Sequence, residues 1–274
     1  MANGIALTIG LNAVDPKHYA GWSGVLAACE ADAKDMAKIA TFKKFQVETL
    51  LTKEATRAKV MEKVSKVAKD LKSGDIFLLT YSGHGGQLPD LNHEELDERD
   101  ETWCLFDGQL VDDELNSMFA EFSDGVRILV FSDSCHSGTA TRGMDDYGRP
   151  PLRSPSGEPL RKKSMPREYL GAVYRDNQAF YDKILKKPSV KEEDIKASTL
   201  LISGCQDNQS SYDGERNGLF TSNLLAVWKD GKFSGNYRKI HRDIVRRMPM
   251  EQTPNYYPTG LRNYRFEYQK PFTI

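Results

Sequence analysis

The sequence is poor in cysteine, has no long apolar run and carries almost no net charge. Its 274 residues include 4 cysteines, and none form a CxxC pair, which argues against a structural zinc site or a disulfide framework. No stretch of 18 apolar residues occurs, so no membrane span is expected. Lys and Arg number 38 against 39 Asp and Glu, a net charge of −1, and this balance argues against a general nucleic-acid binder.

The amino terminus lacks the features of a secretory signal, because no basic flank precedes its apolar stretch and no small-residue cleavage site follows it. We therefore expect a cytoplasmic protein with reduced thiols and neither a membrane nor a nucleic-acid partner. Apolar residues make up 39% of the chain, which is enough to bury a core. Its length suits one large domain or two small ones, and we expect a single domain over residues 1–274.

Apolar runs typical of buried strands alternate with amphipathic segments typical of helices through most of the chain. This alternation predicts an α/β fold with a mainly parallel sheet of about six strands and helices on both faces. The tail at 263–274 is a candidate for the last strand. The other strands are expected at 5–11, 46–51, 75–81, 127–131 and 199–203, and the helices at 25–42, 56–71, 112–122, 218–229 and 237–247.

The alternating pattern fails between residues 139 and 197, which are rich in Arg, Lys and Pro. We expect a long, basic, flexible insertion there, with a helix near 174–185. Loops of this length in compact domains are usually functional or disordered. A plain solvated surface loop is an equally weighted alternative.

A histidine and a cysteine follow two predicted strands. His84 lies in SGHGGQ (82–87) after the third strand, and Cys135 lies in SDSCHSG (132–138) after the fourth. The carboxyl ends of parallel strands meet at one edge of a sheet, where α/β proteins place their sites. A thiol attacks a carbonyl as thiolate and needs a base to move protons. We therefore predict Cys135 as nucleophile and His84 as base, with the N–H groups of Gly85 and Cys135 binding the oxyanion.

His136 is the competing base because it is adjacent to the cysteine. Neighbouring side chains at a strand end point in opposite directions. We therefore favour a structural role for His136.

The chain resembles the caspase-like cysteine peptidases (peptidase family C14, clan CD), and within them the metacaspases, including the compact bacterial forms called orthocaspases. The 51 residues from His84 to Cys135 are also close to the caspase spacing. The resemblance implies a caspase-like three-layer α/β/α sandwich, a His–Cys dyad, a thioester acyl-enzyme and cleavage after Arg or Lys. It is carried by YSGHGGQ at 81–87, SDSCHSG at 132–138, DDEL at 112–115, ISGC at 202–205 and QTP at 252–254.

The resemblance to metacaspases also implies a pocket for a basic side chain, formed by Cys29, Asp32, Ser82 and Asp133. Two carboxylates in one pocket attract a guanidinium and repel an acidic side chain. Asp207, after the fifth strand, is a further acidic candidate for substrate binding. The alternatives are a helix first-turn charge for Asp32 and an ordinary loop role for Asp133.

Many metacaspases require calcium, so the resemblance implies a site of hard oxygen ligands. Matching at DDEL assigns Asp112 and Asp113 to two ligand positions, and Asp100 or its neighbour to a third. The fourth family position is Arg142 in this chain. This departure leaves an acidic solvated loop as the alternative to a calcium site. The peptidase chemistry itself requires no cofactor.

The basic insertion makes the chain a candidate substrate of its own activity. The sequence does not choose among the candidate cleavage positions, and an uncut segment of this kind is also able to occupy the pocket. We expect polypeptide substrates with Arg or Lys before the scissile bond, the chain itself among them, and a monomer as in metacaspases generally. The candidate cleavage residues are Arg153, Arg161, Lys162, Lys163 and Arg167.

Two other functions are compatible with the same motifs. One is a peptidase of this fold that prefers Asp or Asn, against which the pocket carboxylates argue. The other is a catalytically silent signalling module, against which the intact histidine and cysteine motifs argue.

Overall fold

The computed structural model describes residues 2–92, 98–135, 151–154, 156–206 and 209–274. The strands are β1 (Gly4–Gly10), β2 (Gln46–Leu51), β3 (Ile76–Ser82), β4 (Gly85–Pro89), β5 (Arg99–Leu105), β6 (Gly108–Val111), β7 (Arg127–Asp133), β8 (Arg161–Lys162), β9 (Ser198–Ser203), β10 (Tyr212–Asp213) and β11 (Asn255–Gly260). The helices are α1 (Cys29–Phe42), α2 (Arg57–Asp70), α3 (Asp112–Ala120), α4 (Arg167–Asp176), α5 (Gln178–Leu185), α6 (Leu219–Trp228), α7 (Tyr237–Val245) and α8 (Tyr264–Tyr268).

A six-stranded sheet lies at the centre of the molecule, in the order β11-β9-β7-β3-β1-β2. Its pairs are parallel except for β11, which runs antiparallel to β9. The prediction of a mainly parallel sheet of about six strands is confirmed. β3 and β7 are neighbours, so their carboxyl ends lie side by side.

Helices cover both faces of this sheet. Successive side chains of β3 point to opposite faces, as strand geometry requires: Phe77 and Leu79 join one hydrophobic cluster, and Ile76 and Leu78 join the other. The first cluster includes apolar residues of α2 and α3, and the second includes those of α1, α6 and α7. The architecture is the three-layer α/β/α sandwich that the sequence predicts.

The first helix begins later than predicted. Residues 25–42 were expected to be helical, but α1 starts at Cys29. The N–H groups of Ala27 and Ala28 instead donate to the carboxylate of Asp213, at 2.6 and 3.3 Å. A side chain nearly 190 residues further along the chain therefore fixes the entry to α1, which no local pattern reveals.

The prediction of a last strand in 263–274 is wrong. This segment holds the short helix α8, whose first turn is capped because the Asn263 side chain accepts a hydrogen bond from the N–H of Phe266. The last strand is β11, which contains Pro258 and pairs only with β9 at the sheet edge. Proline lacks a ladder donor and is tolerated at edges, which hides this strand from an apolar-run search.

Folded structure also appears where the sequence carries little signal of helices or strands. A second, three-stranded sheet (β4-β5-β6) follows directly after His84. The described part of 139–197 differs from the expected flexible insertion, because it contains β8 and the helices α4 and α5. The predicted helix near 174–185 is present as these two helices, which meet at Asn177.

All four cysteines are free and buried. None of the helices in the described ranges combines the length and apolar character needed to cross a membrane.

Candidate active site

The two predicted catalytic loops leave the sheet at the same level. β3 ends at Ser82 and β7 ends at Asp133, and the strand register pairs these two residues. His84 and Cys135 each follow two residues later. The side chains of both are buried, with 6% of His84 and none of Cys135 exposed. The sheet therefore places both loops at one edge, as the sequence predicts.

The His84 ring is fixed by a carbonyl group and an indole. Its Nε2 lies 3.0 Å from the carbonyl oxygen of Gly24, which accepts hydrogen bonds only, so Nε2 carries the proton. Nδ1 is buried without a hydrogen-bond partner among the described residues. Trp22 packs against the ring at a centroid distance of 4.7 Å. This tautomer leaves Nδ1 free to accept a proton.

Burial sets the charge of this imidazole. It lowers the pKa of His84 to about 4, against the opposing effect of the Gly24 carbonyl, and the nearby Lys163 ammonium lowers it further. His84 is therefore neutral at pH 7 while the cleft is in this arrangement. A neutral imidazole is the form that serves as a general base.

The Cys135 sulfur faces the backbone of Ser211. The Ser211 N–H donates to this sulfur, and the thiol lies 3.3 Å from the Ser211 carbonyl oxygen. The N–H and the carbonyl group of one residue therefore hold the position of the Cys135 sulfur.

The two predicted oxyanion donors converge on one oxygen of the chain itself. The N–H groups of Gly85 and Cys135 donate to the carbonyl oxygen of Lys163, at 3.0 and 3.1 Å. These distances match those expected between an oxyanion hole and a reacting carbonyl. The next residue, Ser164, lies beside the His84 imidazole in the same cleft. The peptide bond from Lys163 to Ser164 thus sits at the predicted catalytic groups.

The side chain of Lys163 fills the predicted pocket for a basic residue. It is fully buried, and its Nζ lies 3.1 Å from Asp32 Oδ2 and 3.1 Å from Asp133 Oδ2. Nζ also donates to Ser82 Oγ at 2.9 Å. Three residues that the resemblance assigned to the pocket therefore meet on one ammonium group.

Both pocket carboxylates are held by further donors. Asp133 accepts from the Ser211 hydroxyl at 2.6 Å and from the Thr221 hydroxyl at 2.8 Å and N–H at 3.2 Å. Thr221 lies in the first turn of α6, where backbone N–H groups favour a negative charge. Asp32 accepts from the N–H of Gly218 at 2.9 Å. The pocket is therefore preorganised for a cation.

Electrostatics in the pocket depends on burial and on pairing. Burial alone lowers the pKa of Lys163, but the surrounding carboxylates, Asp133 foremost, outweigh it and hold this pKa well above its ordinary value. Burial raises the pKa of Asp32 to about 6, against the effect of the Lys163 ammonium. Two carboxylates around one ammonium suit a buried cation, which is stable only when paired.

Gly218 supplies the space for the cationic head. A Cβ at this position would contact Lys163 Nζ and Asp133 Oδ2. Its φ is −56°, a value open to any residue, so the requirement is for space and not for backbone freedom. We call Asp32, Ser82, Asp133 and Gly218 the lysine pocket.

The segment that carries Lys163 crosses the cleft in an extended form. On one side β8 pairs antiparallel with β10, and the Lys163 N–H donates to the Ser211 carbonyl at 2.8 Å. On the other side the Met165 N–H donates to the Gly85 carbonyl at 2.8 Å. Peptides that add a strand to a sheet edge are bound in this way.

Cys29, the fourth residue of the predicted pocket, lines its wall. It is the first residue of α1, and its sulfur lies 3.9 Å from Asp213 Oδ1. Burial raises the pKa of the Cys29 thiol, against the effect of Lys163, so the group is neutral.

Sequence reasoning missed Asp213, Ser211 and Gly218. Ser211 and Asp213 lie in or beside the two-residue strand β10, and Gly218 immediately precedes α6. The QTP motif pointed to Ser211, since Gln252 Nε2 donates to Ser211 Oγ at 2.9 Å.

Of the five candidate cleavage residues, Lys163 is the one in the pocket. Arg161 and Lys162 form β8 and are exposed, and Arg153 is exposed as well. Arg167 is the first residue of α4. Two other residues considered from the sequence, Asp207 and His136, lie outside the described residues.

The predicted calcium ligands gather at a second group of acids, which we call the acidic corner: Asp100, Glu101, Asp112 and Asp113. Burial raises the pKa of Asp112 well above its ordinary range, and the charges of Glu101, Asp113 and Asp100 raise it further. The Asn92 amide donates to Asp113 Oδ2 at 2.9 Å. Within the described ranges, no group of three or more His, Cys, Asp or Glu side chains is arranged to hold a metal ion.

The curated proteins with similar sequences include metacaspases. Metacaspase-1 of Cryptococcus neoformans is 30% identical over 249 residues, covering 79% of this chain and 52% of the relative. Metacaspase-1A of Aspergillus oryzae is 30% identical over 247 residues, covering 79% and 57%. The chain thus spans about half the length of these curated relatives.

Solved structures show the same fold. The crystal structure of protein GSU0716 from Geobacter sulfurreducens matches with a TM-score of 0.91 and 55% identity over 99% of both chains. Caspase-1 of Spodoptera frugiperda matches with a TM-score of 0.55 and 11% identity, covering 95% of this chain and 88% of that one, and this likeness concerns the fold. A family model described as the caspase domain matches residues 3–265. The chain therefore belongs to the caspase-domain family of cysteine peptidases.

Proposed function

We propose that this protein is a cysteine endopeptidase that cleaves peptide bonds after Lys or Arg through Cys135 and His84, and that its own chain is one substrate. The observation that carries the proposal is the position of Lys163. Its ammonium lies between Asp32 and Asp133, while its carbonyl oxygen accepts from two backbone N–H groups. A substrate residue needs the same two placements before its bond is cut.

The proposed reaction uses the groups that surround this carbonyl. The Cys135 sulfur attacks the carbonyl carbon, and the N–H groups of Gly85 and Cys135 stabilise the negative oxygen that forms. His84 transfers the proton through Nδ1, because Gly24 holds the proton on Nε2. The leaving amine takes that proton, and water then hydrolyses the thioester.

The pocket supports the preference for a basic residue. Its two carboxylates are already hydrogen-bonded, so they gain most from a cation that completes their pairing. A substrate Asp would place a third carboxylate beside Asp32 and Asp133, which is repulsive. Preference for Asp or Asn is therefore the disfavoured alternative.

The proposed self-cleavage site is the Lys163–Ser164 bond. In the uncut chain the Lys163 side chain fills the lysine pocket, and its carbonyl oxygen accepts from the two N–H groups proposed to bind the oxyanion. The uncut chain is thus proposed to be inhibited by its own segment. Because this segment is tethered, it competes with external substrates at a high effective concentration.

Peptides that differ only in the residue before the scissile bond test the proposed activity. We expect hydrolysis after Arg and Lys, and none after Asp or Asn. Cys135→Ala abolishes both peptide hydrolysis and self-cleavage, while the matched control Cys104→Ala keeps the activity of each folded molecule. Faster cleavage after Asp, or full activity of Cys135→Ala, contradicts the proposal.

We also propose that calcium stimulates the enzyme through the acidic corner. The donors are carboxylate oxygens, which suit calcium, and burial together with the charges of Glu101, Asp113 and Asp100 raises the pKa of Asp112. The described side chains do not form a ready ligand group, so calcium has no part in the chemical steps above. A monomeric, cytoplasmic protein stays our expectation, and its four free cysteines suit a reducing compartment.

A further inference from the structure

The chain is attached to the body of the protein on both sides of the Lys163–Ser164 bond. Before the bond, Lys163 is held by the lysine pocket and by its N–H bond to Ser211. The stretch 136–162 also joins Lys163 covalently to Cys135. Cutting the bond leaves each of these attachments in place.

The attachment after the bond is equally firm. The Met165 side chain is 1% exposed and belongs to a hydrophobic cluster with Val173, Tyr181 and Leu185 of α4 and α5. The Tyr181 hydroxyl accepts a hydrogen bond from the N–H of Gln109 at 3.0 Å. Moving a buried apolar side chain of this kind into water is unfavourable. The segment that begins at Ser164 therefore stays docked after cleavage.

A docked leaving group changes the outcome of the thioester stage. Once the bond is cut, the new amine of Ser164 remains in the cleft beside His84. Well-oriented groups within one molecule react with effective concentrations of about 10⁵–10⁸ M, far above that of liquid water. The amine therefore competes with water for the thioester.

We propose, on the basis of the proposed function, a further activity: the protein re-forms the Lys163–Ser164 bond that it cuts. The hydrolysed Lys163 carboxyl group first re-forms the thioester with Cys135, and one of its oxygens leaves as water. The Ser164 amine then attacks the thioester carbonyl, so a C–N bond forms and the C–S bond to Cys135 breaks. The proton of the amine passes to His84 and then to the sulfur, which restores the thiol. No oxidant, reductant or co-reactant is required.

The buried site favours this reaction over hydrolysis. Cys135 is fully buried and His84 is 6% exposed. The docked Ser164–Met165 strand covers the side from which the leaving amine departs, because the Met165 N–H stays on the Gly85 carbonyl. The first cut is consequently reversible, and the segment acts as a self-restoring inhibitor.

Incubation of the full chain in H₂¹⁸O tests the proposal. When a hydrolysed bond is remade, one of the two equivalent Lys163 carboxylate oxygens leaves as water and the other becomes the amide carbonyl oxygen, so repeated cycles of cleavage and re-formation introduce ¹⁸O into the uncut chain. Cyanogen bromide cleaves after Met144 and Met165 and releases the uncut 145–165 peptide for mass measurement. We expect this uncut peptide to become heavier by one ¹⁸O with time, and Cys135→Ala to show no gain.

The outcomes separate this proposal from the proposed function. If cut fragments carry ¹⁸O at Lys163 while the uncut peptide stays unlabelled, the enzyme hydrolyses without re-forming the bond, and the inference is wrong. If no fragment carries ¹⁸O and peptides with Arg or Lys before the scissile bond are not cleaved, both proposals are wrong.

A variant that loosens the docked segment gives a second test. Met165→Ala weakens the attachment of Ser164, so we expect the ratio of cut to uncut chain to rise about tenfold. Met250→Ala is the matched control, because Met250 is 87% exposed. Equal ratios of cut to uncut chain in folded Met165→Ala and Met250→Ala would contradict the claim that Met165 keeps the Ser164 amine in the cleft.

Discussion

The molecule holds two groups of acidic side chains, and they differ in how their charge is balanced. In the lysine pocket, hydroxyl and backbone donors hold Asp32 and Asp133, and the Lys163 ammonium lies between them. In the acidic corner, neighbouring carboxylates surround Asp112 and add to its burial. Burial raises the pKa of both Asp32 and Asp112. The Lys163 ammonium opposes this rise at Asp32, whereas the charges of Glu101, Asp113 and Asp100 add to it at Asp112.

This difference teaches that acidity alone does not define a binding site. The lysine pocket has donors behind each carboxylate and space for a charged head at Gly218. In the acidic corner, the described His, Cys, Asp and Glu side chains form no group of three or more arranged to hold a metal ion. We therefore expect substitutions in the pocket to have larger effects than those in the corner.

The largest effect is expected for Asp133→Asn. Removing one partner from a buried ion pair is strongly destabilising, by about 3–5 kcal/mol. We expect kcat/KM for a lysine peptide and the rate of self-cleavage to fall about 100-fold or more. The exposed Asp124 gives the control Asp124→Asn, which should stay within about twofold. A similar fall in kcat/KM in both variants, or no fall in Asp133→Asn, would contradict the role of Asp133 in binding the basic side chain.

A smaller but more specific effect is expected for Gly218→Ala. The added methyl group occupies the space of the cationic head, and overpacking of this kind costs about 1–3 kcal/mol. We expect kcat/KM for lysine peptides to fall about tenfold or more, mainly through KM. Gly171→Ala, in the middle of α4, is the control. Unchanged KM in Gly218→Ala contradicts the role assigned to this glycine.

The pH dependence of self-cleavage distinguishes Asp32 from His84. Asp32, with a pKa of about 6, is ionised above that pH and protonated below it, whereas His84 stays neutral down to about 4. Lowering the pH from 7 to 5 therefore weakens the hold on Lys163, and we expect a fall of about tenfold. Asp32→Asn should be slower at pH 7 but flat over this range. If the rate of self-cleavage of Asp32→Asn falls between pH 7 and 5 as that of the wild type does, a group other than Asp32 causes the pH dependence.

The smallest effect is expected in the acidic corner. If calcium binds there, millimolar calcium should raise peptide hydrolysis severalfold over a chelator control. Asp112→Asn should reduce this stimulation, because it removes one oxygen donor, and Asp124→Asn should not. Equal rates with calcium and with chelator would contradict a calcium site in the acidic corner.

The sequence predicts the parts of the site that rest on regular elements. His84 and Cys135 follow apolar strands that could be recognised locally, and the sheet then brings their loops together. The pocket residues Asp32 and Asp133 came from the resemblance to metacaspases. Their convergence on one ammonium is a property of the folded chain.

Other parts of the site could not be predicted because they depend on distant contacts. Five basic residues in the insertion look alike in sequence, and only the path of the chain buries Lys163 while Lys162 stays exposed. Ser211 and Asp213 lie in or beside a two-residue strand, which has no periodic signal. The three-stranded sheet after His84 begins with Gly85 and Gly86, which sequence rules associate with turns.

The new amino terminus that appears when the purified chain cuts itself tests the central claim most directly. The chain is incubated, denatured and analysed by mass spectrometry at early times. Because Lys163 is the basic residue in the pocket, the first fragment should begin at Ser164. A first fragment that begins after Arg153, Arg161, Lys162 or Arg167 instead would contradict the account.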